Sequence, residues 1–218
     1  MPRPTQAFID LSALAHNLGV VRQYVPCSRI MAVVKADAYG HGLLHTASAL
    51  KDVDGFALLE LDAAISLRDA GYQQPILLLE GFFSIEELAL FEQYRLSAVI
   101  HHSEQIAMLS DSKHHNLDLF LKINTGMNRL GLAPEQFPQI MKALTDHPGI
   151  DSITLMTHFA SADDPLEEDE VFQQLQYFEA ITQNHKYPHS LANSAAIIRY
   201  PVTHADWVRP AITQYGAS

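Results

Sequence analysis

A single lysine stands where an apolar run meets a turn, in the segment Val33-Val34-Lys35-Ala36-Asp37-Ala38-Tyr39-Gly40-His41-Gly42. An amine at the mouth of a strand is partly withdrawn from water, which disfavours its charged form and frees its lone pair to attack a carbonyl. Read alone, Lys35 is equally well a strand-end lysine reaching solvent. Gly40 and Gly42 are too few for a phosphate loop of the Walker type, yet Tyr39 and the nearby backbone N–H groups can meet a phosphate oxygen. Other polar segments repeat this placement. Lys122-Ile123-Asn124-Thr125-Gly126-Met127-Asn128-Arg129-Leu130-Gly131 and Thr157-His158-Phe159-Ala160 each end an aliphatic run, as do Asn193-Ser194 and Trp207-Val208-Arg209-Pro210. Each has a plain structural reading, His158 as a hydrogen-bonded core histidine and Arg209 as a salt-bridge partner. Their shared position gives them weight as a group, because chemistry in a parallel α/β barrel collects at the C-terminal ends of the strands.

The elements that must position these residues follow from hydropathy. Short β-branched or aliphatic runs predict strands at 30–34, 56–59, 76–79, 98–100, 117–123, 153–156, weakly at 190–192, and at 207–208. Segments of helical period separate them, and a spacing of about 25 residues suits an α/β barrel of eight strand and helix units. A doubly wound open sheet is the rival architecture. Asp10 or Ser12 can cap a helix whose Leu11, Leu14, Leu18 and Val21 form one stripe. Ser84 and Glu87 form a candidate capping box ahead of Leu88 and Phe91, and Gly71 stops the helix containing Ala64, Ile65 and Leu67. That first helix precedes every strand and none follows the eighth, so it is expected to fill the eighth helical slot. The acidic run from Asp163 to Glu170 reads as a solvated loop whose carboxylates favour the start of a helix containing Phe172, Leu175, Phe178 and Ile181.

Composition removes several function classes. The 218 residues carry 14 Lys and Arg against 25 Asp and Glu, a formal net charge of −11. Nucleic-acid backbone binding needs clustered cations and has no support here. The apolar stretches are far shorter than the ~20 residues that span a bilayer, and Met1 to Asp10 lacks a signal-peptide core, so a cytoplasmic protein without membrane contact is expected. Cys27 is the only cysteine, which fits a reducing compartment and excludes an internal disulfide.

The lysine segment, Thr-Gly-Met-x-Arg-Leu-Gly, Thr-His-Phe-Ala, Asn-Ser and Trp-Val-Arg-Pro occur together in the order and approximate spacing of the bacterial alanine racemases. The chain resembles that family over essentially its whole length. The resemblance implies a (β/α)8 TIM-like barrel, pyridoxal 5′-phosphate as cofactor, and interconversion of L-alanine and D-alanine for peptidoglycan precursors by a homodimer. It matches Lys35 to the lysine that condenses with the cofactor and acts as base on the D-enantiomer. Tyr39, Ser194, Ala211 and Ile212 match the phosphate-binding positions. Arg209 matches the arginine facing the pyridine nitrogen, His158 the residue beside the ring, and Asn193 a neighbour in that network. Arg129 matches the arginine at the substrate carboxylate, and Lys122 a lysine carbamylated in many members.

Two positions depart from the family's pattern. Asn124 stands where aspartate is common, and Ala211 stands where glycine is common; alanine is strained at 211 only if φ there is positive. The family also carries a second, mostly β domain after its barrel, which supplies a tyrosine base for the L-enantiomer. With residues 1–218 read as the barrel domain alone, cofactor binding with weak or no racemisation is expected. Residues 1–10 are expected to be an extended segment that pairs with that second domain. A single-domain pyridoxal-phosphate protein acting in cofactor homeostasis is the first alternative. A histidine-rich metalloprotein is the second, on His41 and His45 at i, i+4 with His101-His102 and His114-His115. No zincin glutamate or third ligand accompanies them, so no metal is expected.

Overall fold

The computed structural model describes residues 6–110 and 116–217; His114 and His115 lie outside them. Eight parallel strands close into one barrel in chain order, β1 pairing with β8 through Arg29 opposite Trp207 and Ile30 opposite Val208. The strands are β1 Arg29–Val33, β2 Gly55–Leu58, β3 Ile76–Leu78, β4 Ser97–Ile100, β5 Leu117–Lys122, β6 Ile150–Met156, β7 His189–Ser190 and β8 Trp207–Val208. Each overlaps its predicted run, and closure excludes the open sheet. The widest differences are at β6, which begins three residues early, and at β7, where only two residues pair. Met31, Val33, Ala57, Leu77, Val99, Phe120, Met156 and Trp207 fill the interior. The outward faces of the strands join the helices in a second, larger core.

Helices α1 Leu11–Tyr24, α3 Leu43–Ala49, α4 Leu61–Asp69, α5 Leu88–Gln93, α6 Ser103–Ser110, α7 Phe137–Thr145, α8 Glu168–Thr182 and α9 Ser194–Arg199 surround the barrel; α2, Lys35–Gly40, is a special case described below. Asp10 is the cap of α1, its carboxylate accepting from the N–H groups of Ser12 at 2.9 Å and Ala13 at 3.1 Å. Helix α1 packs between α3 on one side and α9 with the 3-10 turn Ile212–Tyr215 on the other. Asn17 donates to the Gln214 carbonyl there at 3.0 Å. The N-terminal helix therefore occupies the eighth slot. Gly71 ends α4 at φ +94°, a conformation that glycine adopts without a Cβ penalty.

One helical reading is corrected. Ser84 and Glu87 do not form a reciprocal box: Ser84 bonds the carboxylate of Glu86, and Glu87 accepts from the Phe83 N–H at 2.7 Å, so α5 starts only at Leu88. Helix α8 contains Phe172, Leu175, Phe178 and Ile181 as expected, and its buried stripe is Val171, Gln174, Leu175, Phe178 and Thr182. Phe172 is at the edge of that stripe and Ile181 is half-buried, while a glutamine faces the core. The acidic first turn of α8, Glu168 to Glu170, lies at the positive end of the helix as expected. Among the described residues no helix is long and apolar enough to cross a membrane.

Candidate active site

Immediately after β1 the chain enters a left-handed turn. Ala36, Asp37, Ala38 and Tyr39 have φ of 52°, 51°, 55° and 55°. Left-handed helix costs an L-residue roughly 1–2 kcal/mol, so four in succession store on the order of 4–8 kcal/mol that neighbouring contacts must offset. Those contacts are specific. The Asp37 carboxylate accepts from the Leu43 N–H at 2.7 Å, and its carbonyl accepts from the Gly42 N–H at 3.0 Å. His41 spans the carbonyls of Ala38 and Tyr39 through Nδ1 at 3.0 and 3.1 Å. Tyr215 stacks on both Tyr39 and His41, with ring centroids 4.9 and 4.8 Å apart, and donates its hydroxyl to the Val33 carbonyl. The turn holds Lys35 half-buried, its Nζ 5.9 Å from the Tyr39 ring centroid. His41 thus serves the turn, and Gly42 breaks the chain between it and His45 in α3, so the two do not share one helix face.

The polar segments that follow five different strands converge on this mouth. His158 is held neutral, its pKa pushed down to about 2 by burial and then by Arg209, Lys122, Arg129 and Lys35. Lys122, buried at the end of β5, is lowered to about 8 by burial, with Arg209, Arg129 and Lys35 adding repulsion and only Glu80 opposing it. Arg209 is 3% exposed, and burial lowers it to about 10, so it stays charged at neutral pH. It donates to Ser190 Oγ at 2.6 Å, to the Thr157 carbonyl at 2.8 Å and to the Leu191 carbonyl at 3.2 Å, and lies 3.5 Å from His158 Nδ1. These partners are neutral. Four cations therefore face one mouth with Glu80 as the one carboxylate acting on Lys122 there, in a chain whose net charge is −11.

On the far side, Ser194 Oγ accepts from the N–H groups of Ala211 at 2.8 Å and Thr213 at 3.4 Å. Ala211 has φ −122°, so the position does not demand glycine. Ile212 opens the adjoining 3-10 turn and is half-exposed. Asn193 is the cap of α9, accepting from the Ala196 N–H at 3.1 Å, and reaches the Phe159 carbonyl at 3.4 Å; its side chain borders the Arg209 network from there. On the loop after β5, Asn124 accepts from the N–H groups of Gly126 and Asn128, giving that position an anchoring job that needs no charge. Gly131, at φ +129°, lies so close to Asn124 N that a Cβ would sit 2.7 Å away. Arg129 is carried, exposed, on this braced loop.

A family model described as alanine racemase, N-terminal domain, matches residues 9–218. The chain belongs to this family. The alanine racemase of Nitrosospira multiformis is 58% identical over 219 residues, taking in all of this chain and 61% of that protein. The crystal structure of the biosynthetic alanine racemase from Pseudomonas aeruginosa superposes with a TM-score of 0.89 at 40% identity, over 96% of this chain and 59% of that one. A histidine racemase from Leuconostoc mesenteroides subsp. sake superposes at 0.83 with 30% identity, over 95% and 58%. The chain thus spans about three fifths of the length of these relatives.

Within this alanine racemase-family barrel, the residues singled out in the sequence fall at one end: Lys35, Lys122, Arg129, His158 and Arg209 interact, and Ser194 with Ala211 forms an adjoining corner. Sequence reasoning missed Glu80, Ser190 and Tyr215, and it gave Thr157 no role of its own within its segment. Glu80 follows the predicted strand 76–79 and Ser190 opens the weak one at 190–192, which was the available signal. Tyr215 carried none, since it acts across 182 residues of chain.

The His158 shift has a measurable consequence. Unfolded His158 takes up a proton near pH 6.5, whereas the folded one resists until about 2. The unfolded state therefore binds more protons across that window, and stability falls as pH drops through it. Denaturant midpoints measured from pH 7 to pH 4 should fall less steeply for His158→Gln than for the parent; identical slopes contradict the shift.

Proposed function

We propose that this barrel is the cofactor-holding part of an alanine racemase that interconverts L-alanine and D-alanine with pyridoxal 5′-phosphate at Lys35. The observation that carries the reading is the surplus of buried and half-buried cations around an amine at a strand mouth. Burying unpaired charge is costly, so such a cluster fits ligands that bring anions, here a phosphate and an amino-acid carboxylate. The donor set fits as well: the N–H groups of Ala211 and Thr213 converge on Ser194 Oγ, a cluster of small polar donors of the kind that receives a phosphoryl group. The bound cofactor supplies an electron sink that acidifies the α-proton of an amino acid.

The chain's own residues then divide the remaining work. Lys35 holds or takes the α-proton at Nζ on one face. Arg209 offers N–H donors to the ring nitrogen and keeps its own proton, which leaves that nitrogen without positive charge and favours racemisation over transamination. His158, neutral, would adjoin the ring without adding a charge. Ser194, Ala211, Ile212 and Tyr39 would hold the phosphate, with Asn193 fixing the start of α9 through the Ala196 N–H. Arg129 receives the substrate carboxylate. Lys122, whose lowered pKa provides neutral amine near pH 8, adds through its lone pair to carbon dioxide and releases one amine proton to water, leaving a carbamate whose negative charge steadies Arg129.

A base on the opposite face is needed to invert the stereocentre. We place it in the portion of the relatives beyond this barrel, brought by the second subunit of a cytoplasmic homodimer. The exposure of Phe8 at 89% and Ile9 at 39% supports a role for the N-terminal segment in pairing with that portion.

The full-length polypeptide bearing this barrel should exchange the α-deuterium of labelled L-alanine and form D-alanine when given cofactor. Lys35→Ala should lower the rate at least about a thousandfold, in the range that one general base contributes. Retention of α-deuterium by the parent protein would instead favour the cofactor-homeostasis reading. Intact mass in bicarbonate above pH 8 should show one added carboxyl group, absent in Lys122→Met; an unmodified parent rejects the carbamate.

A further inference from the structure

Helix α8 turns one polar side chain toward the core. Gln174 is 5% exposed among Val171, Leu175 and Phe178, where an apolar residue would ordinarily lie. Its amide is fully employed. Oε1 accepts from the Ala160 N–H at 2.9 Å, while Nε2 donates to the His158 carbonyl at 3.2 Å and to Thr125 Oγ1 at 3.4 Å. Its stem supports the next loop residue: a Cβ on Gly126 would lie 3.3 Å from Gln174 Cγ.

The hydroxyls that follow have a forced direction. Thr157 Oγ1 donates to the Ile123 carbonyl at 3.0 Å, so in the 2.7 Å contact between Thr125 and Thr157 the proton belongs to Thr125. Thr125 is therefore an acceptor toward Gln174. The run is Gln174 to Thr125 to Thr157 to the Ile123 carbonyl, all buried, and the Thr157 carbonyl in turn receives Arg209. One amide thus fixes two mouth loops against each other. The loop after β5 carries Arg129 and is braced internally by Asn124 and by the close approach of Gly131. The loop after β6 carries His158 and the Arg209 anchor.

We propose that Gln174 is a positioning residue that sets the distance between the carboxylate-receiving Arg129 and the ring-facing pair His158 and Arg209, and so sets affinity for the amino-acid substrate. The inference rests on the function proposed above. A glutamine suits the task because it supplies two donors and one acceptor in fixed geometry, whereas a glutamate would present acceptors to the His158 carbonyl and Thr125 alike.

The test is steady-state alanine racemisation by the full-length, cofactor-loaded protein. Gln174→Met and Thr125→Val should each raise KM for alanine about tenfold, the loss expected for one or two buried hydrogen bonds, with kcat held within about threefold. The double variant should show little more than either single change, because both break one run. A merely structural role would lower kcat through loss of active protein at unchanged KM, and that result overturns the proposal, as do additive effects. If Gln174→Met does not fold, an unchanged KM in Thr125→Val is sufficient to overturn it. An inactive parent protein would refute the proposed function instead, and the two failures are thereby distinct.

Discussion

Uncompensated positive charge at the barrel mouth is the constraint around which the rest of this structure is arranged. Arg209 is buried and held by a hydroxyl, two carbonyls and the neutral ring of His158, Lys122 is buried beside it, and Lys35 and Arg129 add to the same field. Neutral hydrogen-bond partners orient a guanidinium without cancelling its charge, so the field remains available to a ligand. Burial first, and this positive field second, lower the pKa values of His158 and Lys122. A mouth this positive in a chain with a net charge of −11 is a local arrangement and not an overflow of basic composition.

The second constraint is conformational. Lys35 reaches the mouth because the four residues after it wind left-handed, and that winding survives because Asp37, His41 and Tyr215 bond or stack against it. Strain of this kind fixes an amine more tightly than a relaxed loop would, since few other backbone paths satisfy the same contacts. The turn also brings Tyr39 against Tyr215, with ring centroids 4.9 Å apart, and leaves Lys35 Nζ 5.9 Å from the Tyr39 ring.

Much of this was legible in the residues. Eight aliphatic runs marked eight strands because a buried parallel strand is apolar on both faces. The polar segments at their ends marked the mouth. The left-handed turn was not legible, since Ala-Asp-Ala-Tyr carries no glycine to announce positive φ; only the later closure by Tyr215 makes it affordable. The Ser84 and Glu87 spacing fits a cap, but the loop after β3 places Glu87 against Phe83. Gln174 was hidden by its own helix, where a polar residue between apolar ones reads as the solvent face. The two departures from the family's pattern proved benign locally: position 211 has negative φ, and Asn124 does its bracing with a side-chain oxygen that aspartate would share.

The account depends on Lys35 Nζ being the nucleophile that meets the cofactor's aldehyde. Borohydride reduction of the cofactor-loaded protein, followed by peptide mass spectrometry, tests this directly. The pyridoxyl mass should appear on the peptide containing Lys35 and on no other; its appearance on Lys122 or any other lysine, or its absence, would contradict the account.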